Sequence, residues 1–205
     1  MMEFPLFVSN YAVPTPDTDE VLRYMGDRRT SPEVRSLVLD SISECEGVLS
    51  YRICAAKYEI SVKDGVTDLG FASASSRALS ASLEGCTHAV VFAATVGLGI
   101  DRLIHRYSRI SPSRALCMQA IGTERVEALC DAFQHDLGTE EAKKGGSIRP
   151  RFSPGYGDLP LSLQKDIFRV LDCQRLMGLT LNDSLLMSPS KSVSAIIGIT
   201  EEKCR

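Results

Sequence analysis

Arg151-Phe152-Ser153-Pro154-Gly155-Tyr156-Gly157-Asp158-Leu159-Pro160 leads into the apolar series Leu163, Ile167, Val170 and Leu171. That series has helical spacing, and Ser162 stands where an N-cap belongs, so the stretch predicts a rigid loop feeding an amphipathic helix over 162–177, stopped by Gly178. Pro154 and Pro160 restrict the backbone of the loop, while Gly155 and Gly157 permit positive φ and let a ligand come close to the main chain. Arg151 adds a fixed cation and Tyr156 an aromatic face. This combination suits a small ligand bearing a carboxylate and a flat ring, because a guanidinium grips a carboxylate with two bonds and tyrosine joins an apolar body to a polar tip. The same composition also describes an ordinary Pro/Gly-rich turn with a solvated arginine.

Working outward, residues 185–187 and 193–199 read as two strands around Ser188-Pro189-Ser190-Lys191, and residues 138–147 as a polar, Gly-rich connector. Upstream, a long helix is expected from Pro112 to about Leu137, with Leu116, Ile121, Val126, Leu129, Cys130 and Phe133 as core candidates. Glu124, Glu127 and Asp131 lie on that helix at spacings that place them near one another, and exposure to water is the simplest account of them. Ala89 to Val96 is a continuous apolar run of the buried-strand kind. The Gly97-Leu98-Gly99 turn after it lacks the third glycine of a dinucleotide fingerprint and the Gly-Lys-Ser/Thr of a P-loop, so close strand-to-helix packing explains it better than a phosphate site. Residues 73–85 read as an Ala/Ser-rich helix, and Lys63-Asp64-Gly65 as a turn near the strand-forming residues Tyr51, Ile53, Tyr58 and Ile60. Two further helices are expected over 18–26 and from Ser31-Pro32 onward, the second with Val34, Leu37, Val38 and Ile42 on its core face.

The 205 residues show no internal repeat and no linker, which makes a single α+β domain spanning 1–205, with a mixed or antiparallel sheet and several flanking helices, the economical reading. A net charge of −3 argues against a dedicated nucleic-acid binder, whose affinity comes from many Lys and Arg contacts to phosphate. The local cluster Lys143, Lys144, Arg149 and Arg151 is then a partner or ligand feature, or a solvated face. Seven cysteines without C-x-x-C spacing fit reduced thiols, and no apolar run reaches membrane-spanning length, so a cytoplasmic protein without a membrane partner is expected. His88, His105 and His135 have no metal-like spacing, and no H-E-x-x-H or G-x-S-x-G occurs. Nothing in the sequence itself supplies hard redox chemistry, which fits a protein whose chemistry belongs to a cofactor held elsewhere.

R-x-x-P-G-Y at 151–156, the amphipathic helix, Gly178-Leu179-x-Leu181, Ser184, Met187, Pro189 and Ser192-Val193-Ser194 together resemble the C-terminal activation domain of cobalamin-dependent methionine synthase, most clearly over residues 147–199. Glu127-Ala128-Leu129-Cys130-Asp131 is similar to the acidic helix preceding the loop in that family, and the first half looks more like the family's free-standing relatives. The resemblance implies a reactivation module that binds S-adenosylmethionine and presents its methyl group to an inactive cob(II)alamin, with one electron from flavodoxin or a similar donor. This chain lacks a D-x-H-x-x-G corrinoid signature, so the cobalamin would be carried by a partner methionine synthase subunit. Carried over by position, Arg151 would hold the ligand carboxylate, Ser153 and Gly155 would give main-chain contacts, Tyr156 would line the pocket, and Glu127 would be the ligand-site acid, with Glu124 or Asp131 one helical turn away as substitutes. The family's glutamate six residues before the arginine is Gly145 here, and its tyrosine beyond S-V-S falls at about Cys204 or Arg205. These departures leave a second reading, a non-catalytic binding or structural partner of a corrinoid methyltransferase that has lost S-adenosylmethionine.

Overall fold

The computed structural model describes residues 7–26 and 31–201. The first described elements are β1 (Phe7–Asn10) and α1 (Thr18–Tyr24), where the Asp17 carboxylate accepts from the amides of Asp19 and Glu20 and so caps the helix. α2 (Pro32–Glu46) starts where Ser31-Pro32 predicts, with the Ser31 hydroxyl accepting from the Val34 amide. After β2 (Arg52–Glu59), the strands β3 (Ser61–Lys63) and β4 (Val66–Asp68) form a hairpin. Its turn, Asp64-Gly65, is left-handed at both positions (φ 52° and 77°), as a two-residue hairpin turn of this hand requires. Next come β5 (Ser73–Ser75), α3 (Arg77–Ser82), β6 (His88–Thr95), α4 (Gly99–Ile110), α5 (Pro112–Lys143) and β7 (Ser147–Ile148). The last third contains α6 (Leu163–Val170), α7 (Cys173–Met177), β8 (Thr180–Leu181), β9 (Met187–Ser188) and β10 (Ser192–Thr200).

The fold is α+β, and among the described residues every strand pairing is antiparallel. The main sheet has the order β1-β2-β6-β10-β7, with smaller sheets β3-β4-β5 and β8-β9. Successive residues of a strand face opposite sides. Ile53, Ala55, Val90, Phe92, Ala94, Ala195, Ile197 and Ile199 join one core cluster with residues of α1, α2, α4 and α5. Cys54, Ala56, Ala89, Val91, Ala93 and Ile196 join a second with residues of α3, α6 and α7. Covering on both faces explains why the 89–96 run is apolar at every position but the buried Thr95 rather than alternating. The Cys45, Cys54, Cys117, Cys130 and Cys173 thiols are free and buried in these cores.

Several local expectations are corrected. The helix expected over 162–177 is two pieces, because Asp172 adopts a left-handed φ of 47° between α6 and α7. Ser162 makes no side-chain capping bond, since its own backbone is already helical. The helix expected from residue 73 begins only at Arg77, because Ser73–Ser75 pairs with β4 and Ser76 supplies the cap. Of the strand expected at 185–187, only Met187 is paired, Leu185 being turned by a φ of 63°. Leu116 is 48% exposed, the inward face there being held by Cys117, Met118 and Ile121.

The expected connector at 138–147 is largely helix. α5 runs on to Lys143, and a Cβ at Gly138 would lie 3.2 Å from the Ile148 side chain, so the glycine admits β7 against the helix rather than breaking it. Gly99 likewise serves packing, since a Cβ there would come within 2.2 Å of the Val48 carbonyl oxygen. Among the described residues no helix is long and apolar enough to cross a membrane.

Candidate functional site

Arg149 to Phe152 runs beside β10. The Arg149 amide donates to the Gly198 carbonyl (2.8 Å), and Phe152 and Ile196 exchange both backbone bonds (2.8 and 2.9 Å). Phe152 joins the core on the α6 side, so Arg151, its neighbour, is turned to the α5 side. There its two terminal nitrogens donate to Asp131 Oδ1 (2.6 Å) and Glu127 Oε2 (2.8 Å), while its backbone amide meets Gln134 Oε1 at 3.3 Å. Positions 127, 131 and 134 are four and three apart on α5, so one face of the helix presents all three groups. Burial alone would lower the pKa of Arg151, but its bonds to Asp131 and Glu127 outweigh it and keep the guanidinium firmly charged.

Beyond Arg151 the loop is held by its own backbone. The Tyr156 amide donates to the Ser153 carbonyl (3.2 Å), Gly155 to Leu159 (2.9 Å) and Leu159 to Tyr156 (3.0 Å). Leu159, 2% exposed, anchors the turn in the core on the α6 side. The result is a cavity of about 370 Å³ lined by Glu127, Arg151, Phe152, Ser153, Tyr156 and Val193. Four of the five sequence-predicted site residues therefore share one concave surface. Gly155 (φ 90°) does not line it, and its amide is committed to Leu159, so it shapes the turn instead. Tyr156 is 71% exposed, presenting an aromatic face at the rim. A second concavity, of about 610 Å³, is lined by Ala12, Val13, Pro14, Ala128, Asp131, Ala132, His135 and Asp136. The Arg151–Asp131 ion pair stands between the two.

Glu124 does not belong to this surface, nor is it exposed. It is 5% accessible and holds the 1% accessible Arg125 through two bonds of 2.5 Å. Arg125 also donates to the carbonyls of Pro14 (2.5 Å) and Thr15 (3.3 Å), and the Asp17 amide donates to Glu124 (3.3 Å). The pair fastens the segment before α1 onto α5. Asp131, given above only as a substitute for Glu127, is the second acid on Arg151. The basic cluster around Arg149 is largely neutralised: Lys143 pairs with Glu140, Lys144 with Glu141, and Arg149 donates to the Glu84 carbonyl. Asp158 was not singled out from the sequence. Its carboxylate accepts from the Ser76 hydroxyl (2.5 Å) and from the amides of Arg77 (2.8 Å) and Ala78 (3.1 Å), partners 80 or more residues away.

Comparison with solved structures finds the crystal structure of the MetH reactivation domain bound to AdoHcy, at 17% identity over 89% of this chain and 70% of that one, with a TM-score of 0.59. At that identity the likeness shows a shared fold. No curated protein matches by sequence. The family model for the vitamin B12 dependent methionine synthase activation domain matches residues 80–204, a span that takes in β6, the acidic face of α5, the Arg151 loop and β10. By that match, across more than half its length, the chain belongs to the methionine synthase activation domain family.

Proposed function

We propose that this chain is a reactivation module that binds S-adenosylmethionine in the Arg151 cavity and serves a cobalamin-bearing methionine synthase. One observation carries the reading: the Arg151 guanidinium, the Glu127 carboxylate and the Ser153–Tyr156 turn line one open cavity, with Asp131 held to Arg151 at its edge. The amino-acid end of such a ligand is a zwitterion. Its carboxylate needs a cation and its ammonium needs an acid, and Arg151 with Glu127 and Asp131 supplies both within one cluster. Asp131, with 69% of its side chain exposed, can release Arg151 to water at least cost, while Glu127 stays. The cavity lies within the ~300–1,000 Å³ usual for small-ligand sites, and the adjoining concavity gives further room.

When bound, S-adenosylmethionine supplies an electrophilic methyl group, with a cobalamin on the partner as acceptor and an electron-donor protein such as flavodoxin as the source of the electron. The residues of this chain would orient the ligand and leave its sulfonium end toward the rim where Tyr156 stands. The gain is then from proximity rather than from acid or base groups of this chain. Because Arg151 must exchange one existing bond for the ligand, affinity should be modest.

Calorimetry with millimolar S-adenosylmethionine should give saturable heat that Arg151→Ala abolishes. Reconstitution of a cob(II)alamin synthase lacking its own activation domain, with reductant and S-adenosylmethionine, should recover activity only when this protein is added. Heats that are identical for wild type and variant, with recovery that does not need the protein, would favour the second reading, a non-catalytic partner whose arginine stays locked to its own two acids.

A further inference from the structure

The Arg151 loop is fastened on both faces of the main sheet. On the α5 face Arg151 holds Glu127 and Asp131. On the other face Asp158 sits over the start of α3, accepting from the Arg77 amide (2.8 Å), the Ala78 amide (3.1 Å) and the Ser76 hydroxyl (2.5 Å). The first amides of a helix have no partner within it. Here Ser76 takes that of Leu79 (3.0 Å), and those of Arg77 and Ala78 are met from the loop. The loop therefore completes a cap that Ser76 only half supplies. Its approach is close: a Cβ at Gly157 would lie 3.0 Å from the Ala78 Cβ, and Gly157 has a φ of 56°. Between the two fasteners hang Ser153, which lines the cavity, and Tyr156 at its rim.

We propose that Asp158 is a positioning residue for the ligand loop, tying the Ser153–Tyr156 turn to α3 so that the turn is already placed over the cavity before ligand arrives. The proposal rests on the reading of the Arg151 cavity as the ligand site. Asp158 touches no ligand in it. Its effect is on the population of the competent loop, and apparent affinity falls in proportion to that population. The loss of a helix cap changes such an equilibrium by roughly tenfold. An ordinary cap would stabilise α3 alone. The tether differs in that its loss should free a turn more than 70 residues away from α3 in sequence.

The experiment compares wild type with Asp158→Ala and Asp158→Asn, the second keeping a side-chain oxygen able to accept from an amide. Amide hydrogen exchange is read over residues 153–159 and over α3, and S-adenosylmethionine binding is read by calorimetry. Expected is faster exchange of the Gly155, Tyr156 and Leu159 amides in Asp158→Ala, an apparent Kd weakened by up to about tenfold, and recovery of most of both in Asp158→Asn. Unchanged exchange in the loop, or unchanged binding despite faster exchange, overturns the positioning role. Should wild type bind no S-adenosylmethionine while the loop still loosens in Asp158→Ala, the ligand reading falls and the tether stands. If Asp158→Ala fails to fold, Asp158→Asn carries the same comparison: loop exchange as slow as wild type together with tenfold weaker binding would contradict the proposal.

Discussion

Two arginines meet acids of the same helix within a few residues of each other, and they do opposite things. Arg125 is buried, grips Glu124 through two bonds, and donates also to the Pro14 and Thr15 carbonyls. Arg151 is 23% exposed at its side chain, faces acids that are 39% and 69% exposed, and borders an open cavity. The difference lies in what would replace a lost partner. Around Arg125 there is only protein, so an unmet charge would stay unmet; around Arg151 water or a ligand carboxylate can step in. A saturated, buried pair is a fastener, and a half-open one is a site.

The comparison is tested first where the effect is largest. Glu124→Ala leaves a buried guanidinium without its carboxylate, and breaking such a pair from one side typically costs ~3–5 kcal/mol. Chemical denaturation should show that loss together with freer exchange of the segment before α1, whose Asp17 amide also bonds Glu124. A loss below about 1 kcal/mol would erase the distinction drawn between the two arginines. Arg151→Ala should show the reverse: ligand binding gone, with a stability change of only ~0–1 kcal/mol, as for other partly exposed pairs. A stability loss rivalling that of Glu124→Ala would make Arg151 a fastener as well.

Legibility in the sequence follows the same line between local and distant causes. The Arg151 loop and the buried strand at 89–96 were readable because proline, glycine and apolar spacing act within a few residues, whereas Glu127 stood out only through the family resemblance. The starts of α1 and α2 were readable for the same reason, Asp17 and Ser31 being caps of helices that begin beside them, whereas α1 ends at Tyr24, two residues short of the expected Gly26. Glu124 was misread because an arginine next to it in sequence does not by itself bury an acid. What buries it is the segment at 14–17, more than 100 residues away. Asp158 escaped notice for a like reason, since an aspartate in a Gly/Pro-rich loop normally serves its own turn, and its partners lie in α3. The Gly-rich stretch at 138–147 reads as a connector from composition alone, and only the contact with Ile148 shows why α5 keeps Gly138 within it.

Glu141 offers a third, intermediate case at the far end of the same helix, and the smallest effect. It is 5% exposed, with Lys57 Nζ at 3.5 Å and Lys144 Nζ at 2.9 Å. Burial pushes its pKa up, but the bond to Lys144 and the charge of Lys57 outweigh burial and hold the carboxyl below the ordinary value. A carboxyl with a depressed pKa in the folded state contributes stability that is present above the unfolded pKa, ~4.3 for glutamate, and is lost as pH falls through the folded value. Wild type should therefore lose part of its stability between roughly pH 5 and the depressed folded pKa, a component that Glu141→Gln lacks. The stability gap between the two proteins, followed by urea denaturation from pH 7 downward, should stay constant to about pH 5 and then narrow. A gap that widens on acidification would mean that burial, not the two lysines, governs Glu141, and would place it with neither of the arginine pairs.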